Sequence, residues 1–219
     1  DKFNLTRENN VLITKRKIVD YIWKSANLEG IDISFPQAQV IYDGGIINGL
    51  KVNDVITVNN LKHAWDFLFE SENIDYDYYF VTHLHKLTVD KLLTENYVGK
   101  LRTIPVSISG TEWEPDFPIE SKIKEELELI LNQDLKSKTE IAIDAMLFIM
   151  RKQMFIDGNK RVAMLFGNKI MIDNGCGIIT IAQKDIETFY EKLIKFYETG
   201  KDNDLKKFIY NNCIDGLDL

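Results

Sequence analysis

Residues 153–161, QMFIDGNKR, combine residue types that bind phosphate groups. Gly158 can adopt backbone conformations that are closed to other residues, and the N–H groups of a helical turn that follows it would point toward an anion. Asp157 can hold a divalent metal, Asn159 can fix the loop, and the two cations at the end of the segment can neutralise phosphate oxygens. We therefore expect a phosphate-binding loop that leads into a helix.

The composition is that of a single acidic globular domain. The chain has 219 residues, of which 45% are hydrophobic and 28% charged, and a chain of this length can bury roughly 70% of its unfolded surface. Its net charge is −7 and its pI about 5.1. A general nucleic-acid binder shows a basic face, so we expect no nucleic-acid partner and only a local cationic patch.

Cysteine usage and hydropathy favour a cytoplasmic protein. Cys176 and Cys213 are too few for a disulfide scaffold, which suits a reducing compartment. Residues 1–7 lack the charged-then-apolar pattern of a secretory signal. The longest apolar run, 145–150, is far shorter than the roughly 20 residues of a membrane span, so we expect no membrane partner.

Apolar residues recur at helical spacing along most of the chain and predict a mainly α protein. A doubly wound α/β fold is disfavoured, because strands and helices do not alternate. We expect a bundle of about eight helices around a central pair. The helical spans lie at about 15–28, 35–42, 58–69, 79–93, 119–131, 139–152, 161–172, 184–199 and 204–213.

Residues 46–57 carry the β signal of the sequence. Ile47 and Val52 favour strands and flank Gly49, and an Asn-Asp pair follows them, a pattern typical of a hairpin. We expect an exposed flap here, with an ordinary surface hairpin as the alternative. Residues 99–113 contain no helix signal and predict an ordered connection.

The expected loop resembles the motif of the Fic (Fido) family, His-Pro-Phe-x-Asp/Glu-Gly-Asn-Gly-Arg, which lies between two central helices. The positions that match are Phe155, Asp157, Gly158, Asn159 and Arg161. Asp-Gly-Asn by itself is also a common surface turn. A solvated turn between two core helices is therefore the alternative to phosphate binding.

Three further features extend the resemblance over the chain. Residues 25–30, SANLEG, are similar to the family's inhibitory Ser/Thr-x-x-x-Glu-Gly/Asn helix end, which makes Ser25 and Glu29 inhibitory residues. The alternative is an ordinary helix end with a glycine cap. The expected hairpin lies where the family carries its target-docking flap, and Gly99-x-x-Arg102 with VSISG at 106–110 is similar to the connection ahead of the central helices.

The resemblance implies one Fic-like domain over residues 1–219, with ATP and Mg²⁺ as cofactors. The activity that it implies is transfer of AMP to a Ser, Thr or Tyr hydroxyl of a target protein, and a homodimer is left open. The parts of the domain would be an inhibitory helix at about 15–30, a flap at about 46–57, and central helices with the nucleotide loop at 139–173.

The resemblance also assigns the remaining site residues. Asp157 would hold the metal. The target protein would dock on Ile47, Gly49 and Val52 of the flap. The nucleotide would contact Phe155, Gly158, Asn159, Lys160 and Arg161, the last with a catalytic role.

The first departure from the family is at the catalytic histidine, which is replaced by Gln153, while Met154 replaces the proline. In the family that histidine takes the proton of the attacking hydroxyl. A glutamine amide has no proton acceptor that titrates near neutral pH, and loss of a positioned base typically removes about 10²–10⁴-fold of rate. We therefore expect weak or absent transfer.

The second departure is a lysine, Lys160, where most members have glycine, together with Met164 where many have a second arginine. Asn-Lys-Arg is similar to the Doc branch of the family, which implies protein phosphorylation by transfer of the terminal phosphate. Glu29 loses its usual arginine partner, and we expect it to pair with Lys160 or Arg161 instead, oriented by Ser25 one turn earlier.

Non-catalytic readings remain open at this point. A chain that kept the scaffold and lost its base could be a nucleotide-binding or partner-binding module, and the loop could also bind another phosphorylated ligand. His83 and His85 do not share a helix face, so we read them as structural and not as metal ligands.

Overall fold

The structure is a computed structural model that describes residues 1–217, and it is built from ten α-helices and one small sheet within that range. The mainly α fold class expected from the sequence is confirmed. The helices are α1 Arg7–Arg16, α2 Ile18–Leu28, α3 Phe35–Tyr42, α4 Val52–Glu70, α5 Tyr78–Thr88, α6 Glu120–Leu131, α7 Lys138–Lys152, α8 Asn159–Asp173, α9 Ile186–Thr199 and α10 Asn203–Asn212.

Side-chain caps fix where several helices begin. Ser34 forms a capping box with Gln37 at the start of α3, and Asp77 accepts a 2.7 Å hydrogen bond from the Phe80 N–H at the start of α5. Ser137 accepts from the Glu140 N–H at the start of α7. Such caps satisfy backbone donors that have no partner within the helix.

The centre of the fold is the helix pair α7 and α8. Helix α8 contacts α1, α4, α5 and α7, and thirteen of its fifteen residues are buried. Gly167 allows the close approach of the pair, because a Cβ atom there would lie 3.2 Å from the Ala142 carbonyl oxygen and 3.2 Å from Met146 Cβ. The loop between these two helices is thus anchored at both ends to the core.

The small sheet pairs β1, Ile178–Ile179, with β2, Ile214–Asp215, in antiparallel register. It joins two distant parts of the chain, so it is not a hairpin. Lys17 reinforces it by an ion pair of 3.0 Å with Asp215, and Tyr21 donates to the same carboxylate at 3.0 Å. These contacts tie the second strand to α2.

The hairpin expected at residues 46–57 is wrong. Ile47 precedes a turn at Gly49, whose φ is +90°, and α4 begins at Val52. Val55, Val58 and Leu61 lie three residues apart, which is helical spacing, and the helix face that they form packs on the core. Burial of the helical face therefore outweighs the local β preference.

Two helix boundaries also differ from the expected ones. The helix expected at 15–28 is two helices, interrupted at Lys17, where φ is −111°. The helix expected to reach residue 93 ends at Thr88, and Lys91 then adopts a φ of +58°. Among residues 1–217, none of the helices combines the length and the apolar character that crossing a bilayer requires.

Candidate active site

The loop between α7 and α8 makes two left-handed turns of the backbone. Gln153, which ends α7, has φ of +45°, and Gly158, just before α8, has φ of +79°. A Cβ atom at Gly158 would lie 2.9 Å from the Val89 Cγ1 atom. Glycine is therefore required at this position both by the backbone conformation and by the packing beneath it.

Asn159 holds the loop together from inside, as the sequence predicts. Its Oδ1 accepts from the Phe155 N–H at 2.9 Å, and its Nδ2 donates to the Phe155 carbonyl at 2.8 Å and to Gln153 Oε1 at 3.1 Å. The residue is 5% exposed. The two bonds to Phe155 fix the loop backbone, and the third fixes the Gln153 side chain relative to the first turn of α8.

His85 supports the loop from below, a role that the sequence did not indicate. Its Nδ1 accepts from the Gly99 N–H at 2.9 Å, which leaves Nε2–H to donate to the Asp157 carbonyl at 3.1 Å. Its ring stacks on Phe155 with centroids 3.8 Å apart. Both rings are fully buried, so Phe155 supports the loop and does not line the cavity above it.

Burial makes this histidine neutral. It lowers the pKa of His85 to about 4, against a weaker opposing effect of the bond to the Asp157 carbonyl. His83 lies apart and packs on Phe67 with ring centroids 4.6 Å apart. Within residues 1–217 no group of three or more His, Cys, Asp or Glu side chains could hold a metal ion by itself.

Arg102 ties the loop to the segment that faces it. Its Nε donates to the Gln153 carbonyl at 2.7 Å, and its Nη2 donates to the carbonyls of Pro115 and Asp116 at 3.0 and 2.6 Å. The side chain is 2% exposed. The sequence showed Arg102 as part of a family-like connection but gave no sign of this role, because its partners are all backbone carbonyls.

A cavity of about 740 Å³ opens above the loop. The first turn of α8 forms its floor, and no side chain among the described residues caps that turn. Gly158, Asn159 and Lys160 thus place an uncapped helix start at the edge of a space large enough for a ligand. The walls are residues 106–110 on one side, residues 27–30 at one end, and Ile186, Tyr190, Leu193, Ile194 and Tyr197 on the other side.

Glu29 occupies the cationic end of this cavity, as expected from the loss of its usual partner. Its Oε1 lies 3.7 Å from Lys160 Nζ, and its Oε2 lies 3.2 Å from Arg161 Nε. The second contact is an ion pair without hydrogen-bond alignment, because the buried Nε–H has no aligned acceptor. Ser25 does not line this cavity; it lies with Glu29, Lys160 and Arg161 around a separate small pocket, and only its backbone carbonyl bonds to Glu29, at 3.2 Å from the Glu29 nitrogen.

Arg161 lies beneath the cavity and not on its surface. Its Nη1 donates to the Thr88 carbonyl at 2.9 Å and its Nη2 to Asp157 Oδ2 at 2.9 Å. The side chain is 6% exposed. With Glu29 on the third nitrogen, the guanidinium is engaged on every side, and a phosphate would have to displace one of these partners to reach it.

Lys160 reaches across the cavity to α9. Its Nζ donates to the Tyr190 hydroxyl at 2.5 Å, and Tyr190 in turn donates to the Leu28 carbonyl at the end of α2. Burial by itself would lower the pKa of Lys160, but Glu29 and Tyr190 outweigh burial and hold this pKa above its ordinary value. Lys160 is therefore a fixed positive charge and not a base.

Gln153 offers no proton acceptor to the cavity. Its Nε2 donates to the Met150 carbonyl at 2.7 Å, and its Oε1 accepts from Asn159. Burial raises the pKa of the nearby Tyr197 hydroxyl, against a weaker opposing effect of Gln153. A buried phenol with a raised pKa is not a base near neutral pH either.

Residues 75–171, which span α5 through most of α8 and include the loop, match the family model described as Fic/DOC family. This segment is a Fic/DOC family domain. No curated protein sequence matches the chain at a significant level.

Solved structures of Fic proteins share the fold of this Fic/DOC domain and its surrounding helices. Fic-1 from C. elegans is 20% identical with a TM-score of 0.74 over 90% of this chain, and this chain spans 60% of that one. A Fic domain containing signaling protein from Bacteroides thetaiotaomicron is 17% identical with a TM-score of 0.72, covering 94% of this chain and 85% of that chain. BepC from Bartonella tribocorum, solved with bound AMPPNP, is 20% identical with a TM-score of 0.51, covering 75% and 94%.

The flap residues expected from the sequence do not lie at the cavity of the Fic/DOC domain. Ile47, Gly49 and Val52 are not among its lining residues, and they form a turn and a helix start instead of a hairpin. The wall opposite the loop is residues 106–110, in a segment without helix or strand. This segment belongs to residues 99–113, which contain no helix signal and therefore predicted only an ordered connection.

Proposed function

We propose that the chain binds a nucleoside triphosphate with Mg²⁺ in the cavity above the loop and belongs, by activity, with the Fic enzymes that transfer AMP to a hydroxyl of a target protein. The observation that carries this proposal is the uncapped first turn of α8, whose residues Asn159 and Lys160 line a cavity of about 740 Å³. A helix N-terminus with free amides and an adjacent cation is a phosphate-binding arrangement.

Glu29 supports the assignment because a carboxylate already lies where the cations converge. It contacts both Lys160 and Arg161 and is 16% exposed. A phosphate group would compete with it for the same two side chains. We therefore assign Glu29 an inhibitory role, in which its removal lets a triphosphate reach the cations.

Asp157 is suited to hold Mg²⁺ only together with the nucleotide. Its side chain is 59% exposed, and one carboxylate oxygen already binds Arg161. A single carboxylate is a poor metal site alone, but Mg²⁺ commonly takes one or two carboxylates, phosphate oxygens and water. The ion would supply charge neutralisation along the phosphates.

The proposed reaction breaks the bond between the α-phosphorus and the oxygen that bridges to the β-phosphate. The target hydroxyl oxygen forms the new bond to the α-phosphorus, pyrophosphate leaves, and the hydroxyl proton goes to water or to the departing phosphate. Gln153 cannot take that proton, since its Oε1 is a neutral amide oxygen that accepts from Asn159. Positioning and electrostatic stabilisation remain, so we expect slow transfer.

Two alternatives each rest on one observation. Lys160 lines the cavity where most Fic proteins have glycine, which favours Doc-like transfer of the terminal phosphate. Gln153 is bonded within the loop on both sides of its amide, which favours a non-catalytic nucleotide-binding or partner-binding module.

We assign the protein to the cytoplasm, where ATP is available and where Cys176 and Cys213, both free and buried, would stay reduced.

ATP labelled separately on its α- and γ-phosphates distinguishes these functions. The protein is incubated with Mg²⁺, each labelled ATP and a cell extract as the source of targets. Label retained on protein only from the α position supports AMP transfer, and label only from the γ position supports phosphorylation. No label, with saturable ATP binding by calorimetry, supports the module. Absence of both label and binding contradicts the phosphate site itself.

A further inference from the structure

A second cavity of about 720 Å³ lies between α6, α7 and the adjacent ends of α9 and α10. It shares none of its lining residues with the cavity above the loop. Its volume is within the range of sites that hold small ligands, roughly 300–1,000 Å³. The Fic/DOC activity proposed above makes no use of it.

Arg151 is a cation without an anionic partner in this cavity. Its guanidinium lies 4.9 Å from the centre of the Trp113 ring and 5.7 Å from that of Phe196. Its hydrogen bond is to a neutral acceptor, the Tyr197 carbonyl, at 3.3 Å, and its Nε is buried without an acceptor. Among residues 1–217, no carboxylate lies within 4.0 Å of it.

Three of the four lysines that line the cavity, by contrast, are already paired with carboxylates, and the fourth, Lys122, is exposed to solvent. Lys152 pairs with Glu126 at 2.5 Å, and Lys136 pairs with Asp144 at 2.5 Å. Lys206 pairs with both Asp144 and Asp202. Five cations and four carboxylates line the cavity, so it carries one excess positive charge in a chain whose net charge is −7.

The walls near Arg151 are aromatic and apolar. Trp113, Phe117, Leu147, Phe148 and Phe196 all line the cavity, and Phe117 is 55% exposed. Aromatic rings on both sides hold the guanidinium in place and remove water from it. An unpaired charge that is partly desolvated costs free energy, which an anionic ligand with an apolar body would recover.

We propose that this cavity is a binding site for a small organic anion that carries an aromatic ring. The carboxylate or other anionic group binds the guanidinium of Arg151, and the ring packs on the aromatic wall. The size of the cavity favours a small molecule over a peptide. The proposal does not depend on nucleotide binding, since the two cavities have separate walls.

The test uses three probes of equal size and different charge: indole-3-acetate, indole-3-acetamide and tryptamine. The chain contains three tryptophans, at 23, 65 and 113, so ¹⁹F NMR of the 5-fluorotryptophan-labelled protein reports the site directly. We expect indole-3-acetate to shift the Trp113 resonance saturably. We expect the amide to bind at least about tenfold more weakly, a difference of about 1.4 kcal/mol, and the amine to bind still more weakly.

Variants locate the anion on the arginine. Arg151→Met should weaken indole-3-acetate at least about tenfold, and Arg151→Lys should restore part of the affinity. Lys160→Met, which alters the other cavity, should leave this binding unchanged. The comparison of probes on the unmodified protein stands even where a variant does not fold.

Several results would overturn the proposal. One is equal affinity for the acid and its amide, and another is full affinity in a folded Arg151→Met protein. A third is no shift of Trp113 with indole-3-acetate up to about 10 mM, which corresponds to binding weaker than about −3 kcal/mol. An acidic peptide that shifts Trp113 when indole-3-acetate does not would assign the cavity to a protein partner instead.

Discussion

In the proposed function Gln153 stands at the position of the catalytic base, and its amide is held by Met150 and Asn159. We predict that Gln153→His raises transfer of α-labelled AMP by about 100-fold or more, because a positioned base contributes about 10²–10⁴-fold. The increase should be larger in combination with Glu29→Gly, which also frees the cations. Transfer is measured as protein-bound label.

The matched control is Gln133→His, which adds a histidine outside the cavity above the loop and should leave transfer at the wild-type level. If neither Gln153→His nor its combination with Glu29→Gly transfers label, the assignment of the base position or of the inhibitory glutamate is incorrect.

His85 predicts a specific acid sensitivity. Its pKa is lowered to about 4 in the folded protein, below the unfolded value of about 6.5. The stability that depends on neutral His85 is therefore complete above about pH 6.5 and is lost as the pH falls from there toward about 4, by up to roughly 3 kcal/mol. Urea unfolding of the metal-free protein across this range measures it.

The pH effect is isolated by difference. His85→Gln should show a smaller loss of stability between these pH values than the wild type, whereas His63→Gln, at an exposed position, should retain the wild-type slope. Equal slopes in all three proteins would show that the ring titrates in the folded state as freely as in the unfolded chain.

At the residue scale, the sequence revealed the loop itself but not the residues beneath it. Gly158 and Asn159 are recognisable, because a left-handed turn and a self-bonding amide need those residue types at those positions. His85 and Arg102 bind backbone carbonyls of residues 50 or more positions away. No local sequence pattern encodes such long-range contacts, so only the folded structure reveals them.

The end of α2 places Glu29 beside the two cations at one end of the cavity, where we propose an inhibitory role for it. We predict that Glu29→Gln raises ATP affinity by roughly 5–10-fold, or about 1–1.4 kcal/mol, because the amide competes less well than a carboxylate for Lys160 and Arg161. Calorimetry with Mg-ATP measures this. Glu128→Gln, the same change at an exposed position of α6, should have no effect, and equal affinities in all three would contradict the inhibitory role.

Tyr190 links α9 to the same end of α2 through the Leu28 carbonyl and to α8 through Lys160. We predict that Tyr190→Phe speeds hydrogen exchange at residues 27–30 and costs about 1–2 kcal/mol of stability, because it removes two hydrogen bonds that typically contribute about 1 kcal/mol each. Mass spectrometry of exchange measures the first. The control is Tyr210→Phe, at a residue that is 41% exposed, and it should not change hydrogen exchange at residues 27–30.

At the element scale, helical spacing predicted most elements, and the failures have physical causes. The expected hairpin at 46–57 failed because a long buried helical face, with Val58 and Leu61, decides the state of the preceding β-branched residues. The true sheet escaped prediction because its two strands have two residues each and lie 36 positions apart. The pairing of β1 with β2 depends on how α9 and α10, which lie between the two strands in the chain, return β2 to β1.

At the scale of the whole molecule, nucleotide binding should stabilise the fold by mass action. We predict that Mg-ATP at 100 times its dissociation constant adds about 2.7 kcal/mol and raises the melting temperature by roughly 5–10 °C for a chain of this size. Differential scanning fluorimetry measures it, with Mg²⁺ alone and ATP with chelator as controls. If Mg-ATP changes the melting temperature of neither the wild type nor Glu29→Gln, the proposed nucleotide site is contradicted.

The near-complete burial of α8 has a consequence for how this protein could change over time. Stability resides in the buried length of that helix, whereas the proposed reactivity depends on a few side chains at its tip and in the loop before it, among them Lys160 and Gln153. Substitutions at the tip leave the supporting core intact. Under the proposed function, single substitutions at the tip can therefore remove or restore activity during evolution while every intermediate protein remains folded.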